Sequence, residues 1–186
     1  MNEFSLICRL LGSLFSRQPQ DPVLDPVFTM MAQNKLQPFW PLEQDSLLTR
    51  LQQASGDRAA LAADYTALFS GAGAAVPSCR SEYEEGATEQ EVRDFLTQRG
   101  MPQGEGAADS FGRLLLAASW LEDQAAEDET EAQVTLFDEY LLPWCGRFLG
   151  KVEAHTTTAF YRTLAELTRE ALQAMRDELD EEDAQS

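Results

Sequence analysis

"YTALFSGAGAAVPSCRSEY" occupies Tyr65–Tyr83. Its first part has helical spacing, because Leu61, Tyr65, Leu68 and Phe69 recur at intervals of three and four. Its second part is built from Gly, Ala, Pro and Ser, which interrupt regular structure. Tyr65, Phe69 and Tyr83 flank the break. A solvated loop rarely needs aromatic rings on both sides. The stretch is therefore either a tight turn in a helical protein or the rim of a binding site.

The same helical spacing recurs along the chain. Phe4, Ile7, Leu11, Leu14 and Phe15 form one face. Asp21–Pro22 and Asp25–Pro26 each offer an N-cap followed by proline, and predict a helix to about Asn34. "LQPFWPL" at Leu36–Leu42 breaks regular structure, a helix follows over Glu43–Ala54, and another begins at Asp57. Thr88 and Glu91 make a capping box for a helix that ends at Gly100. Asp109 is placed to cap the helix carrying Phe111, Leu114, Leu115, Ala118 and Leu121, and Asp128 with Glu131 starts another. Val134, Phe137, Leu141, Trp144 and Phe148 form a stripe in which Pro143 predicts a kink. Phe160, Leu164, Leu167, Ala171, Met175 and Leu179 mark the last helix. The polar stretch Glu122–Gln133 reads as a loop. No segment alternates like a strand. The expectation is one all-α domain over residues 1–176, a bundle of about eight to ten helices, with residues 177–186 as a frayed acidic tail.

Composition limits the partners. Of 186 residues, 32 are acidic and 14 basic, a net charge of −18. Phosphate backbones and anionic membranes need clustered Lys and Arg, so neither nucleic acid nor a membrane surface fits. No apolar run is long enough to span a membrane, and the N-terminus lacks the basic start of a signal peptide, which predicts a cytoplasmic protein. Cys8, Cys79 and Cys145 are scattered and His155 is the single histidine, so neither a disulfide framework nor a zinc site is expected. No triad, metal motif or phosphate loop is present either. An enzyme, in the form of a helical metal-dependent catalyst, is the weaker alternative to a binding protein.

Each singled-out residue has a structural and a functional role open to it. Tyr65 and Phe69 stand four apart on a helix and suit a core that shapes a groove from below. Pro77, Ser81 and Tyr83 fall in a loop, where binding residues concentrate. Ser81 also suits a turn cap. Arg80 can pair with a client carboxylate or with a local acid. Trp40, between prolines, is either an exposed anchor or buried, while Trp120 and Trp144 read as core. The acids Glu122, Asp123, Glu127, Asp128 and Glu129 suit a solvated face, and also the attraction of a basic segment.

The stretch "YTALF", then Gly71 and "VPSCRSEYEEG", resembles the TorD/DmsD family of cytoplasmic enzyme-maturation chaperones. Tyr65, Leu68, Phe69, Pro77, Ser81 and Tyr83 carry that resemblance, with Gly100 and Met101 after them. "AADSF" stands at the family's Pro-Asp-His element: Asp109 matches, whereas Ala108 replaces Pro and Ser110 replaces His. Pro143, Trp144, Phe148, Phe160, Tyr161, Leu164 and Leu167 resemble the family's ending, and the whole is most similar to its YcdY-type branch. The resemblance implies an all-α fold, no catalysis and no cofactor of its own. It implies a client metalloenzyme, or that client's signal peptide, as the partner of a monomer, with helix swapping as the route to a dimer. For the YcdY-type branch the implied client is a metal-dependent phosphatase of the PHP kind. The alternative is the twin-arginine signal peptide of an exported molybdoenzyme, against which the changes at Ala108 and Ser110 count. The client-binding residues implied are Pro77, Arg80, Ser81, Tyr83, Gly100, Asp109 and Ser110. The sparse His and Cys predict that elemental analysis of the purified chain finds no stoichiometric zinc. One tightly held zinc per chain would revive the enzyme alternative.

Overall fold

The structure is a computed structural model that describes residues 3–70, 73–104, 107–124 and 127–185. Helix α1 spans Glu3–Ser16. Asp21 then accepts the Val23 amide at 2.9 Å, and Pro22 opens a short 3-10 turn that leads into α2, Asp25–Ala32. Asp25 does not repeat this device: it lies inside α2, and its carboxylate goes to Arg58 at 2.7 Å. Asn34 is not helical but left-handed, with φ 55°. Helix α3 is Asp45–Gln53 and α4 is Arg58–Phe69, capped by Asp57 through the Ala60 amide. Helix α5, Glu89–Gln98, carries the complete Thr88–Glu91 capping box.

Helix α6 is Phe111–Gln124 and α7 is Glu129–Thr135, so most of the polar stretch expected as loop is helical. A charged surface tells little about helicity, and a polar face is what a solvated helix shows. Asp128 makes no cap bond, because its carboxylate reaches Arg99 at 2.7 Å. A π-helical turn over Leu136–Leu141 joins α7 to α8, Leu142–His155. Pro143 stands at the start of α8, just after this widened turn, in which the Leu142 amide bonds the Phe137 carbonyl five residues back. The change of bonding register accompanies the amide that proline lacks. His155 ends α8, and α9 runs from Ala159 to Gln185, so the acidic end expected as a frayed tail is helical.

Among the described residues there are nine α-helices and one isolated antiparallel bridge, Cys79 with Ser110. The fold is the all-α bundle that the periodicity predicts. Its residues gather into two compact units, neither of them one continuous stretch.

The first unit comprises Met1–Ser16, Ser78–Gly146 and Gln173–Ser186. Helix α1 lies against α6. Small residues make the approach close: Gly12 faces Gly112, and the Ser5 and Ser119 hydroxyls meet at 2.7 Å. Larger side chains fill in beside this seam. Phe15 packs edge-on against Phe111 at 5.0 Å, Phe4 meets Phe137 at 5.9 Å, and Cys8 lies 3.7 Å from the Met175 sulfur. Each fully buried apolar side chain contributes about 1.5–3 kcal/mol. Trp144 is fully buried, as its stripe predicts, but Trp120 is only half-buried.

The second unit comprises Arg17–Pro77 and Arg147–Leu172. Trp40 is buried here, not an exposed anchor: its indole donates to Gln44, whose amide donates in turn to the Leu167 carbonyl. Tyr65, Phe69, Phe148 and Tyr161 form an aromatic cluster, with ring centres 5.2–6.2 Å apart for each contacting pair. Asp64, on α4, is 2 % exposed and holds the turn before α9. It accepts from the Thr156 and Thr158 hydroxyls and from the Thr157 and Thr158 amides. Burial pushes the Asp64 pKa up, but these four bonds outweigh it, and the net shift is downward.

Two predictions follow from these contacts. A Cβ on Gly112 would stand 2.9 Å from the Gly12 carbonyl oxygen, whereas one on Gly150 in α8 meets nothing within 4 Å. The same glycine-to-alanine change should thus have opposite signs. Gly112→Ala should destabilise by about 1–3 kcal/mol, and Gly150→Ala should stabilise by up to about 1 kcal/mol through helix propensity. Urea unfolding of both variants reads this directly, and equal effects would contradict the close seam. The second prediction concerns pH. A folded-state pKa below the unfolded value of about 3.9 gives stability that is present above that pH and lost as pH falls through the folded pKa. Asp64→Asn should cost about 1–3 kcal/mol at neutral pH, by leaving buried donors unmet. The gap between variant and wild type should close as pH falls below about 4. A gap that is constant with pH would exclude the carboxylate as its source.

Candidate client-binding site

The loop that follows the Gly/Ala/Pro stretch is held by the segment that precedes α6. The Arg80 amide donates to the Asp109 carbonyl at 3.0 Å, and the Phe111 amide donates to the Ser78 carbonyl at 2.8 Å. These two bonds are the Cys79–Ser110 bridge. A third bond comes from a side chain: Asp109 Oδ2 accepts the Ser81 amide at 2.9 Å. Asp109 was expected to cap α6. Instead its carboxylate, 1 % exposed, clamps a loop from a distant part of the chain. Its other oxygen, Oδ1, is buried with no hydrogen-bond partner. Glu89 supports the same segment by accepting the Ala108 amide at 3.0 Å while it pairs with Arg93.

Beyond the clamp, Arg80–Glu82 forms a 3-10 turn that Tyr83 closes by donating to the Arg80 carbonyl. The Tyr83 ring lies 5.2 Å from Trp144, and the Trp144 indole donates to the Tyr140 carbonyl at 2.6 Å, inside the π turn. Tyr140 supports the next layer: Phe95 stands 5.3 Å from its ring, and the Arg80 guanidinium lies 4.9 Å over its face. Arg80 has Glu91 as its nearest acid, at 3.9 Å, yet its Nε and Nη1 atoms are buried without a hydrogen bond. A stacked guanidinium is favourable, but its buried donors remain unmet.

The Cys79 thiol is half-buried, and desolvation, followed by the neighbouring Asp109 and Glu82 carboxylates, pushes its pKa up to about 12. It therefore stays a thiol, and a thiol is a poor nucleophile. Among the described residues no three His, Cys, Asp or Glu side chains come together in a way that could hold a metal ion.

The expected site residues separate. Arg80, Ser81, Asp109 and Ser110 come together through the bridge and the clamp, and Tyr83 stands next to them. Gly100 has φ 87°, as a helix-ending glycine requires, and its amide bonds the last turn of α5. Pro77 belongs to the second unit, as do Tyr65 and Phe69, which are part of its aromatic cluster. Glu91 was read in the sequence only as part of a cap, and Phe95 and Tyr140 went unnoticed. Their signal was spacing: Glu91–Phe95 and Tyr140–Trp144 are both four-residue steps that place the pair on one helix face.

Residues 33–150 match the family described as nitrate reductase delta subunit. The chain is also 64% identical to the chaperone protein YcdY of Escherichia coli K12 over 182 residues, 98% of each chain. It belongs to the TorD/DmsD family of maturation chaperones. Other members diverge further. An uncharacterized protein of Haemophilus influenzae is 43% identical over 98% of this chain and 97% of its own. The Tat proofreading chaperone DmsD of Salmonella typhimurium is 28% identical over 90% of this chain and 86% of its own. No helix among the described residues is long and apolar enough to cross a membrane.

Proposed function

We propose that the chain is a cytoplasmic chaperone that binds a segment of a client metalloenzyme and holds it while the client matures. The observation that carries this is the clamped loop: Asp109 and Arg80 fix it from beneath, and both keep polar atoms unmet. A buried polar group without a partner costs about 1–3 kcal/mol, which a client amide or carboxylate recovers when the loop adjusts to it. The DmsD relatives are Tat proofreading chaperones, which favours the signal peptide of an exported enzyme over a phosphatase client. The protein needs no energy source for release. Ordering a flexible segment costs roughly 2–5 kcal/mol, which keeps the complex moderate in affinity.

The test joins Tyr83→Ala with Asp109→Asn. The variant should bind the twin-arginine signal peptide of an exported molybdoenzyme about 1–3 kcal/mol more weakly than wild type, with unchanged helicity by circular dichroism. A PHP-type phosphatase serves as the second client in the same assay. Wild-type binding of the phosphatase alone would reverse the choice of client. Unchanged binding of both clients by an intact variant would remove the loop from the site.

A further inference from the structure

The bridge brings a cation and an anion face to face. Cys79 pairs with Ser110, so Arg80 and Asp109 stand opposite each other on the next rung, the Arg80 amide bonded to the Asp109 carbonyl at 3.0 Å. Opposite residues on such a rung carry their side chains on one face, with Cβ atoms about 5 Å apart. Yet the Arg80 guanidinium turns away, to within 3.9 Å of Glu91 and 4.9 Å over the Tyr140 ring.

This position leaves complementary groups unmet on the two residues. Arg80 Nε and Nη1 are buried donors without a hydrogen bond, and Asp109 Oδ1 is a buried acceptor without one. The Arg80 side chain is only 13% exposed and Asp109 is buried, so bulk water serves neither well. What holds the guanidinium in place is comparatively weak. Glu91 is 47% exposed and lies beyond hydrogen-bond reach, and the ring offers a cation–π contact. A guanidinium bonded to a carboxylate is stronger. Its usual cost is the removal of both charges from water, and here both groups are already largely out of it. The distance is short as well. The Asp109 carboxylate holds the amide of Ser81, the residue next to Arg80. Rotation about the arginine's own side-chain bonds brings it round, with the bridge and the clamp left in place. The Cys79 thiol beside Asp109 stays neutral and does not compete for the guanidinium.

We propose that Arg80 is a gate with two positions, a closed one over Tyr140 and an open one paired with Asp109, which uncovers the Tyr140 face beside Phe95 for an apolar or aromatic side chain of a bound segment. This deepens the chaperone function and rests on it for the occupant, whereas the movement belongs to the chain alone. A side chain seated on Tyr140 binds only the open position, so it shifts the population toward that position.

The test is nuclear magnetic resonance of the full-length protein without any client. Arg80→Lys assigns the Arg80 Nε–H resonance by its disappearance. A group above a ring face is shielded, so this resonance moves downfield, or gains a downfield partner, as the guanidinium leaves Tyr140 for the carboxylate. Glu91→Gln removes the charge that favours the closed position. It should raise the open population roughly two- to fivefold, as the loss of an exposed pair allows. Asp109→Asn removes the charge that favours the open position and keeps a side-chain oxygen for the Ser81 amide. It should move the resonance upfield. The Tyr140 ring resonances should change in step with both. Displacement in the same direction in both variants, or none with Glu91→Gln, would overturn the gate. Should Asp109→Asn not fold, Glu91→Gln decides alone: Arg80 and Tyr140 moving together support the gate, and either one fixed refutes it. A fixed Arg80 would leave binding at the loop untouched, and a client that does not bind would leave these shifts untouched, so the two readings fail separately.

Discussion

The first unit depends on how closely α1 approaches α6. Ser5 pairs with Ser119, and Gly12 faces Gly112, so the two contacts stand at matching intervals along antiparallel helices. Four small side chains on this seam let backbone meet backbone. Everything stacked on α6 inherits the position they set: Phe111, at its first turn, touches Phe15 on one side and Trp144 on the other. Trp144 in turn carries Tyr83 and bonds the π turn at Tyr140. The candidate loop is thus connected to the glycine seam through three buried rings. Interiors pack tightly enough to transmit a shift at the seam to the loop.

Asp109 makes a similar connection by polar means. A carboxylate that is almost wholly buried must find donors, and the Ser81 amide is one of them. The arrangement explains how this chain keeps its loop although Ala108 and Ser110 replace the Pro and His of the family pattern. Ala108 is held through its backbone amide by Glu89, and Ser110 through the main-chain bridge to Cys79. The bridge requires no particular side chain at Ser110, whereas the Glu89 bond needs an amide N–H at position 108, which alanine has and proline lacks. The clamp from Asp109 to the Ser81 amide uses neither position.

What the sequence disclosed depended on range. The caps at Asp21, Asp57 and Thr88 were legible because donor and acceptor lie within three residues. Asp25, Asp109 and Asp128 looked like equally good caps, yet each is drawn to a partner far away in sequence: Arg58, Ser81 and Arg99. Local pattern cannot rank a nearby amide against a distant cation or loop. Asp64 shows the same limit from the other side. Nothing around it in α4 marks it, and "HTTTAF" reads only as a polar connector until the two meet. The helices themselves were plain, because apolar spacing is a property of each segment alone. The loop's place in the candidate site was legible from its composition, while the aromatic layer beneath it came from helices far along the chain.

Charge connects the candidate site to encounter in solution. At least nine of the 14 basic residues are already in ion pairs with acids: Arg9, Arg17, Arg50, Arg58, Arg80, Arg93, Arg99, Arg169 and Arg176. Exposed pairs of this kind add little stability, typically under about 1 kcal/mol each. Their larger effect is on the field. With the bases neutralised locally, the excess of 32 acids over 14 bases is left to face solvent. A basic segment is drawn in by that field over roughly the Debye length of about 8 Å at physiological salt. Such attraction is non-directional, so it raises the encounter rate without choosing a register. Register requires fixed groups, and in the proposed function the clamped loop is where they stand. Long-range charge and short-range geometry thus divide the work. Salt should accordingly slow association more than it speeds dissociation, and stopped-flow measurements at two ionic strengths read the two rates separately. An equal effect on both rates would place the charge in the contact itself rather than in the approach.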